Sequence, residues 1–125
     1  MRILSARMHG YIDFGIVGLL LIGPALLPLP RSVATLCYAL ATAHLLLSLL
    51  TDYPLGVARR VLWPVHGALE LAEGAVLLAA PWLFEFPPGS RAPSYLAVIG
   101  GILCAVWLAT PYGAAGPRPC EGGDR

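Results

Sequence analysis

The pair His9-Gly10 recurs as His66-Gly67, and an acid follows each histidine four residues later: Asp13 in the first case, Glu70 in the second. Both constellations lie inside long apolar runs. A charged residue at the centre of a membrane helix costs roughly 2.5–3.5 kcal/mol, so two such placements need a reason. Four-residue spacing puts imidazole and carboxylate on one helix face. A third acid, Glu73, falls within the second of these stretches, and a third histidine, His44, within another apolar stretch between them.

Three chemistries fit these residue types. The first is a bound metal ion or haem, with His9, His44 and His66 as ligands and Asp13, Glu70 and Glu73 lining the site. Imidazole is the commonest protein ligand for metals. A carboxylate can join it directly, as in metal sites of helical bundles, or hold the imidazole from behind. Haem would take two histidines from facing helices, with Arg7 or Arg59 and Arg60 near its propionates. The second chemistry is interhelical hydrogen bonding in an accessory or structural subunit of a larger membrane complex. Such bonds average only about 0.6 kcal/mol. The third is proton or small-substrate handling by intramembrane acids and histidines, which four short helices would support best in a homo-oligomer. No Ser-His-Asp, Walker or dinucleotide-binding pattern is present. That argues against a classical hydrolase or kinase and leaves enzyme activity open.

Composition places these residues in a bilayer. The chain has 125 residues, 58% of them hydrophobic, a mean hydropathy of +0.74 and only 12% charged residues. Soluble domains carry about 25%. One compact unit accounts for this length. A net charge of +1 without any Lys gives no sign of nucleic-acid binding. Cys37 and Cys104 lie in apolar runs and read as small hydrophobes, Cys120 lies in the polar tail, and no metal-binding Cys spacing occurs. Arg2 and Arg7 precede an apolar run that continues to Leu29. This is longer than a signal-peptide core and reads as a retained helix.

Four segments approach the length needed to cross about 30 Å of hydrocarbon: about Met8–Leu29, Val33–Leu50, Val65–Phe86 and the shorter Tyr95–Ala109. Connections rich in Pro, Gly, Arg or Asp separate them, at Pro28–Ser32, Thr51–Arg60 and Pro87–Pro93. With four spans, Arg2, Arg7, Arg59, Arg60, Arg118 and Arg125 share one side, against Arg31 and Arg91 on the other. The positive-inside rule then puts both termini in the cytoplasm of a bacterial-type inner (plasma) membrane. Trp63 and Tyr53 on one side, and Trp82 and Tyr95 on the other, suit an aromatic belt. Residues 1–113 form the expected transmembrane domain, and residues 114–125 read as a disordered cytoplasmic tail.

The chain also repeats itself. Sliding Met8–Pro30 onto Val65–Pro87 aligns His9 with His66, Gly10 with Gly67, Leu20 with Leu77, Leu21 with Leu78, Pro24 with Pro81, Leu26 with Leu83 and Pro30 with Pro87. Matched Leu is cheap in a membrane helix, whereas matched His, Gly and Pro are not. Thr51-Asp52-Tyr53 similarly resembles Thr110-Pro111-Tyr112. The expected fold is therefore all-α: four transmembrane helices in two tandem hairpins, about 7–56 and 64–113, with pseudo-twofold symmetry along the membrane normal. A His-Gly-x-x-acid helix start, a Pro-Trp near a helix end and a two-helix repeat resemble the SPW-repeat membrane proteins of bacteria and archaea, over roughly Arg7 to Tyr112. Ala80-Pro81-Trp82 and Gly23-Pro24-Ala25 stand where that family has Ser-Pro-Trp. The resemblance implies the repeated fold and no defined activity.

At 1.5 Å of rise per residue, His9 and His66 lie just below the cytoplasmic interface, and Asp13 and Glu70 lie one turn deeper. His44, about 10 Å inside the second helix, reaches the same level. The fourth helix brings no histidine or acid and offers Gly101, Ala105 and Ala109 for close packing. Gly15, Gly18, Gly74 and Gly100 also read as packing positions, and Pro24 and Pro81 as helix bends or ends. Asp52 and Tyr53 are candidates for shaping an entrance.

Overall fold

The computed structural model describes residues 3–113. Arg2, Arg118, Arg125, Cys120 and the 114–125 tail lie outside the described residues. Four helices make up the fold: α1 (Ala6–Leu26), α2 (Arg31–Leu50), α3 (Trp63–Leu83) and α4 (Ala92–Ala109). Ser5 caps α1, its hydroxyl accepting from the Met8 amide at 3.2 Å. Pro64 and Pro93 occupy the first turns of α3 and α4, where the missing amide hydrogen costs nothing. Pro24 and Pro81 are both accommodated inside helices, each within a turn of the C-terminal end.

Three helices, α1, α2 and α4, are long and apolar enough to cross a membrane. The third is as long, at 21 residues, but His66, Glu70 and Glu73 lower its hydropathy. Many large apolar side chains point outward, among them Leu19, Ile22, Leu46, Val76, Val98 and Leu108. The interior holds Ile16, Leu20, Cys37, Leu77, Leu96 and Leu103 above a fully buried polar layer.

Packing is chiefly α1 on α2 and α3 on α4, while α2 and α3 touch sparsely. The tightest approach joins α3 and α4. A Cβ on Gly74 would meet Cys104 Sγ and Leu103, and one on Gly100 would meet the Gly74 carbonyl and the α3 backbone at Leu78. This corrects the expectation for Gly101, Gly15 and Gly18, around which nothing lies within 4 Å. The rotation of α4 against α3 decides which of two adjacent glycines, Gly100 or Gly101, faces the neighbour.

The connection after α2 folds back on the helix that precedes it. Val57 and Ala58 amides donate to the Leu49 carbonyl (2.7 and 3.1 Å), and Arg60 and Val61 to that of Leu50 (2.7 and 2.9 Å). These bonds satisfy carbonyls that a helix end leaves bare. Gly56 lies against the Thr51 carbonyl, where any side chain would collide. Arg59 takes a left-handed φ of 49°. The result buries Tyr53 and leaves Asp52 outside, 3.9 Å from Arg59 in an exposed pair of the kind that adds little stability.

The aromatic belt needs correction. Only Trp82 of the four residues is exposed, at 84%. Trp63 and Tyr53 are buried among the histidines. The Tyr95 hydroxyl turns inward, donating to the Leu19 carbonyl at 2.6 Å beside Gly23.

Candidate metal centre

Helix α1 delivers His9 and Asp13, α2 delivers His44, and α3 delivers His66, Glu70 and Glu73. All six meet in one layer. His9, Asp13, His66 and Glu70 are fully buried, and His44 is 1% exposed. Glu73 sits at the rim, with 11% of its side chain exposed.

Two histidines are held alike. His9 Nδ1 lies 3.0 Å from Thr110 Oγ1, and His66 Nδ1 lies 2.9 Å from Thr51 Oγ1. Each threonine has one hydroxyl hydrogen and has already donated it: Thr110 to the Val106 carbonyl at 2.7 Å, Thr51 to the Leu47 carbonyl at 2.6 Å. Only lone pairs remain for the imidazoles. Both Nδ1 atoms therefore carry hydrogen and donate it. In the neutral rings both Nε2 atoms are then bare, and they face each other at 3.2 Å. Opposed lone pairs at that distance require a proton or a cation between or beside them.

Carboxylates supply the matching negative charge. Asp13 Oδ1 is 3.2 Å from His9 Nε2, and Asp13 Oδ2 is 3.4 Å from His66 Nε2. Glu70 Oε2 is 3.6 Å from His9 Nε2. Each carboxylate is oriented by a hydroxyl, Ser48 donating to Asp13 Oδ2 (3.4 Å) and Tyr112 to Glu70 Oε2. The other oxygens, Asp13 Oδ1 and Glu70 Oε1, are buried with no hydrogen-bond partner among the described residues. Buried unpaired acceptors are costly, and a cation is one way to satisfy them. His9, His66 and Glu70 present ligand atoms within 4.8 Å of one another, close enough to hold a metal ion.

His44 and Glu73 form a flanking pair, with His44 Nδ1 2.7 Å from Glu73 Oε2. His44 Nε2 points inward, 3.6 Å from Asp13 Oδ1. It and Glu73 Oε1 also lack partners among the described residues.

Aromatic rings close the end of the site at the starts of α1 and α3. Trp63 stacks on His66 at 5.4 Å and on Tyr53 at 5.5 Å, tilts against Tyr112 at 4.9 Å and donates from Nε1 to the Pro111 carbonyl at 3.0 Å. Gly10 and Gly67 exist because of this cover: a Cβ on Gly10 would strike the Tyr53 ring, and one on Gly67 the Tyr112 ring. Burial pushes the Tyr53 hydroxyl up to about 12. Burial, together with the Glu70 carboxylate, raises that of Tyr112 further.

Sequence reasoning missed Thr51, Thr110, Ser48, Trp63 and Tyr112 as parts of the site. The paired Thr-x-Tyr segments at Thr51–Tyr53 and Thr110–Tyr112 carried the signal, because each supplies one imidazole partner and one aromatic cover. Tyr53 is a buried lid rather than an open entrance, and Asp52 lies outside the site. Arg7, Arg59 and Arg60 are exposed. The haem reading meets a steric objection, since nitrogens 3.2 Å apart leave no gap for a macrocycle between His9 and His66.

The chain matches no protein-family model, and comparison with curated proteins and with solved structures found no match.

Proposed function

We propose that the protein is a four-span membrane metalloprotein that binds one transition-metal ion through His9, His66, Asp13 and Glu70. The observation that carries this reading is the matched placement of both imidazoles: Thr110 and Thr51 sit 3.0 and 2.9 Å behind the Nδ1 atoms, and the two Nε2 atoms face each other at 3.2 Å. Metal-bound histidines are held in this way from behind, which sets the tautomer and raises ligand basicity. Around a tetrahedral zinc ion with bonds of about 2.0–2.1 Å, ligand atoms stand about 3.3 Å apart. The two Nε2 atoms stand 3.2 Å apart, Asp13 approaches His9 with Oδ1 at 3.2 Å and His66 with Oδ2 at 3.4 Å, and His9, His66 and Glu70 offer ligand atoms within 4.8 Å of one another. Two imidazoles and two carboxylates in a helical bundle suit zinc or another divalent first-row ion.

The reading includes a membrane topology and a family. Every ionisable side chain of α3 turns toward the polar layer or its rim, whereas Val65, Leu69 and Val76 face outward. This supports a fourth crossing, and the six-to-two Arg split then supports cytoplasmic termini in a plasma membrane. The reciprocal threonine bonds and the Gly10–Tyr53 and Gly67–Tyr112 contacts support two duplicated hairpins, and with them membership of the SPW-repeat proteins.

The test is elemental analysis of protein purified into lipid nanodiscs. About one equivalent of metal is expected, with loss of at least half in His9→Ala and in His66→Ala. Protein that stays metal-free after exposure to Zn(II) and Co(II), yet remains folded, would make the cluster interhelical glue, as in an accessory subunit.

A further inference from the structure

The metal centre is walled in on most sides. Tyr53 and Trp63, 2% and 3% exposed, cover one end. Ile16, Leu20, Leu77 and Leu103 fill the bundle on the other side of the layer. The seam between α2 and α3 is open at one point. There a cleft of about 220 Å³ is lined by Leu40, Ala43, His44, Leu47, Leu69 and Glu73. Four of these are aliphatic. The two polar residues are the His44–Glu73 pair, and behind it His44 Nε2 reaches toward Asp13 at 3.6 Å.

This polar pair is not inherited from the duplication. The position matching Glu73 in the first half is Ile16, and the one matching His44 in the second half is Leu103. Both are core residues, 1% and 0% exposed. The α1 and α4 positions are therefore filled with hydrocarbon where the matching α3 and α2 positions carry a carboxylate and an imidazole. Glu73 keeps 11% of its side chain exposed where it lines this cleft, and His44 is its one hydrogen-bond partner among the described residues. A carboxylate bared beside aliphatic walls is costly, and a hydrogen-bond donor arriving with an apolar body would satisfy both surfaces.

We propose that the α2–α3 cleft is a binding site for a small lipid-soluble phenol or alcohol that enters sideways from the hydrocarbon. Its hydroxyl donates to the Glu73 carboxylate at the rim, its apolar body lies along Leu40, Leu47 and Leu69, and its head stops one imidazole short of Asp13. The cleft stands on its own geometry. Its role as the route by which a ligand approaches the ion rests on the metal reading above.

The experiment uses metal-free protein in nanodiscs, so that it is independent of whether an ion binds. The probe is 4-hexylphenol bearing a diazirine on its alkyl chain, with crosslinks mapped by peptide mass spectrometry. Crosslinks are expected on Leu40–Leu47 and Leu69–Glu73, competed by excess 4-hexylphenol and at least about tenfold less by hexylbenzene, which lacks the hydroxyl. Leu47→Trp, which fills the cleft, should remove the competed crosslinks. Glu73→Gln, which keeps the shape and loses the charge, should weaken competition severalfold. Uniform labelling of outward residues such as Leu19 and Ile22, or equal competition by hexylbenzene, would overturn the proposal. So would undiminished labelling in both variants. Metal failure with successful crosslinking would retire the ion and keep the cleft. The converse would keep the ion and retire the cleft.

Discussion

His9 and His66 face each other through their Nε2 atoms at 3.2 Å, and each is pinned from behind by a threonine whose own hydrogen is committed to a backbone carbonyl. Two weak polar contacts thereby hold both rings with their Nε2 atoms facing each other. The cost of burying them is offset only if something positive sits where the lone pairs meet.

The threonines should therefore matter for metal rather than for folding alone. Thr51→Val and Thr110→Val keep the side-chain shape and remove the acceptor. Each should lower metal affinity about 10–100-fold, the usual effect of losing such a partner. Thr51→Ser and Thr110→Ser should restore it. Competition with a chromophoric chelator measures the change. Equal affinity in the Val variants would detach the tautomer argument from metal binding.

Replacing half of the flanking pair should hurt more than replacing all of it. His44→Leu leaves the Glu73 carboxylate without its 2.7 Å partner, and loss of one member of a buried pair costs about 3 kcal/mol. The double variant His44→Leu/Glu73→Ile copies Leu103 and Ile16 from the other half, so most of the stability should return. Thermal denaturation of the three proteins in one detergent decides this. A double variant less stable than His44→Leu would show that the two halves do not pack alike.

Gly67→Ala should drive a methyl into the Tyr112 ring, and Gly10→Ala one into the Tyr53 ring. Overpacking of this kind costs about 1–3 kcal/mol. Gly15→Ala and Gly101→Ala, with open space around the added methyl, should leave the melting temperature unchanged or slightly raised, because Ala favours helix.

Alkaline titration should expose the aromatic cover. Tyr53 is held protonated up to about 12 by burial, against 10 for a free tyrosine. Its contribution to stability is fully present below pH 10, where folded and unfolded chains both keep the proton. It is lost between about pH 10 and 12, where only the folded chain keeps it, at about 1.4 kcal/mol per unit. Tyrosinate absorbance should show a late-ionising component that Tyr53→Phe diminishes, leaving that of Tyr112. If Tyr53→Phe leaves the late-ionising component undiminished, Tyr53 is not sealed from water.

Topology turns on α3. If it crosses, a reporter fused at Gly89 reads external and one fused after Tyr112 reads cytoplasmic. If it lies within one leaflet, both readings invert.

Much of this centre is written in local chain geometry. A helix repeats every 3.6 residues and rises 1.5 Å per residue, so spacing alone put His9 and Asp13 on one face, and His66 and Glu70 on another, at matching depth. The His-Gly repeat likewise marked two equivalent helix starts, and hydropathy marked the helices to within a few residues. Other features depended on how the helices rotate and where the loops run. Thr110 meets His9 across 101 residues, a pairing no local propensity encodes. Whether Gly100 or Gly101 faces α3 depends on the rotation of α4 against its neighbour. Tyr53 became a lid because the connection after α2 spends its amides on the Leu49 and Leu50 carbonyls and so turns back over the site. The cleft beside His44 and Glu73 lies between α2 and α3, and the gap between two helices belongs to neither helix's sequence.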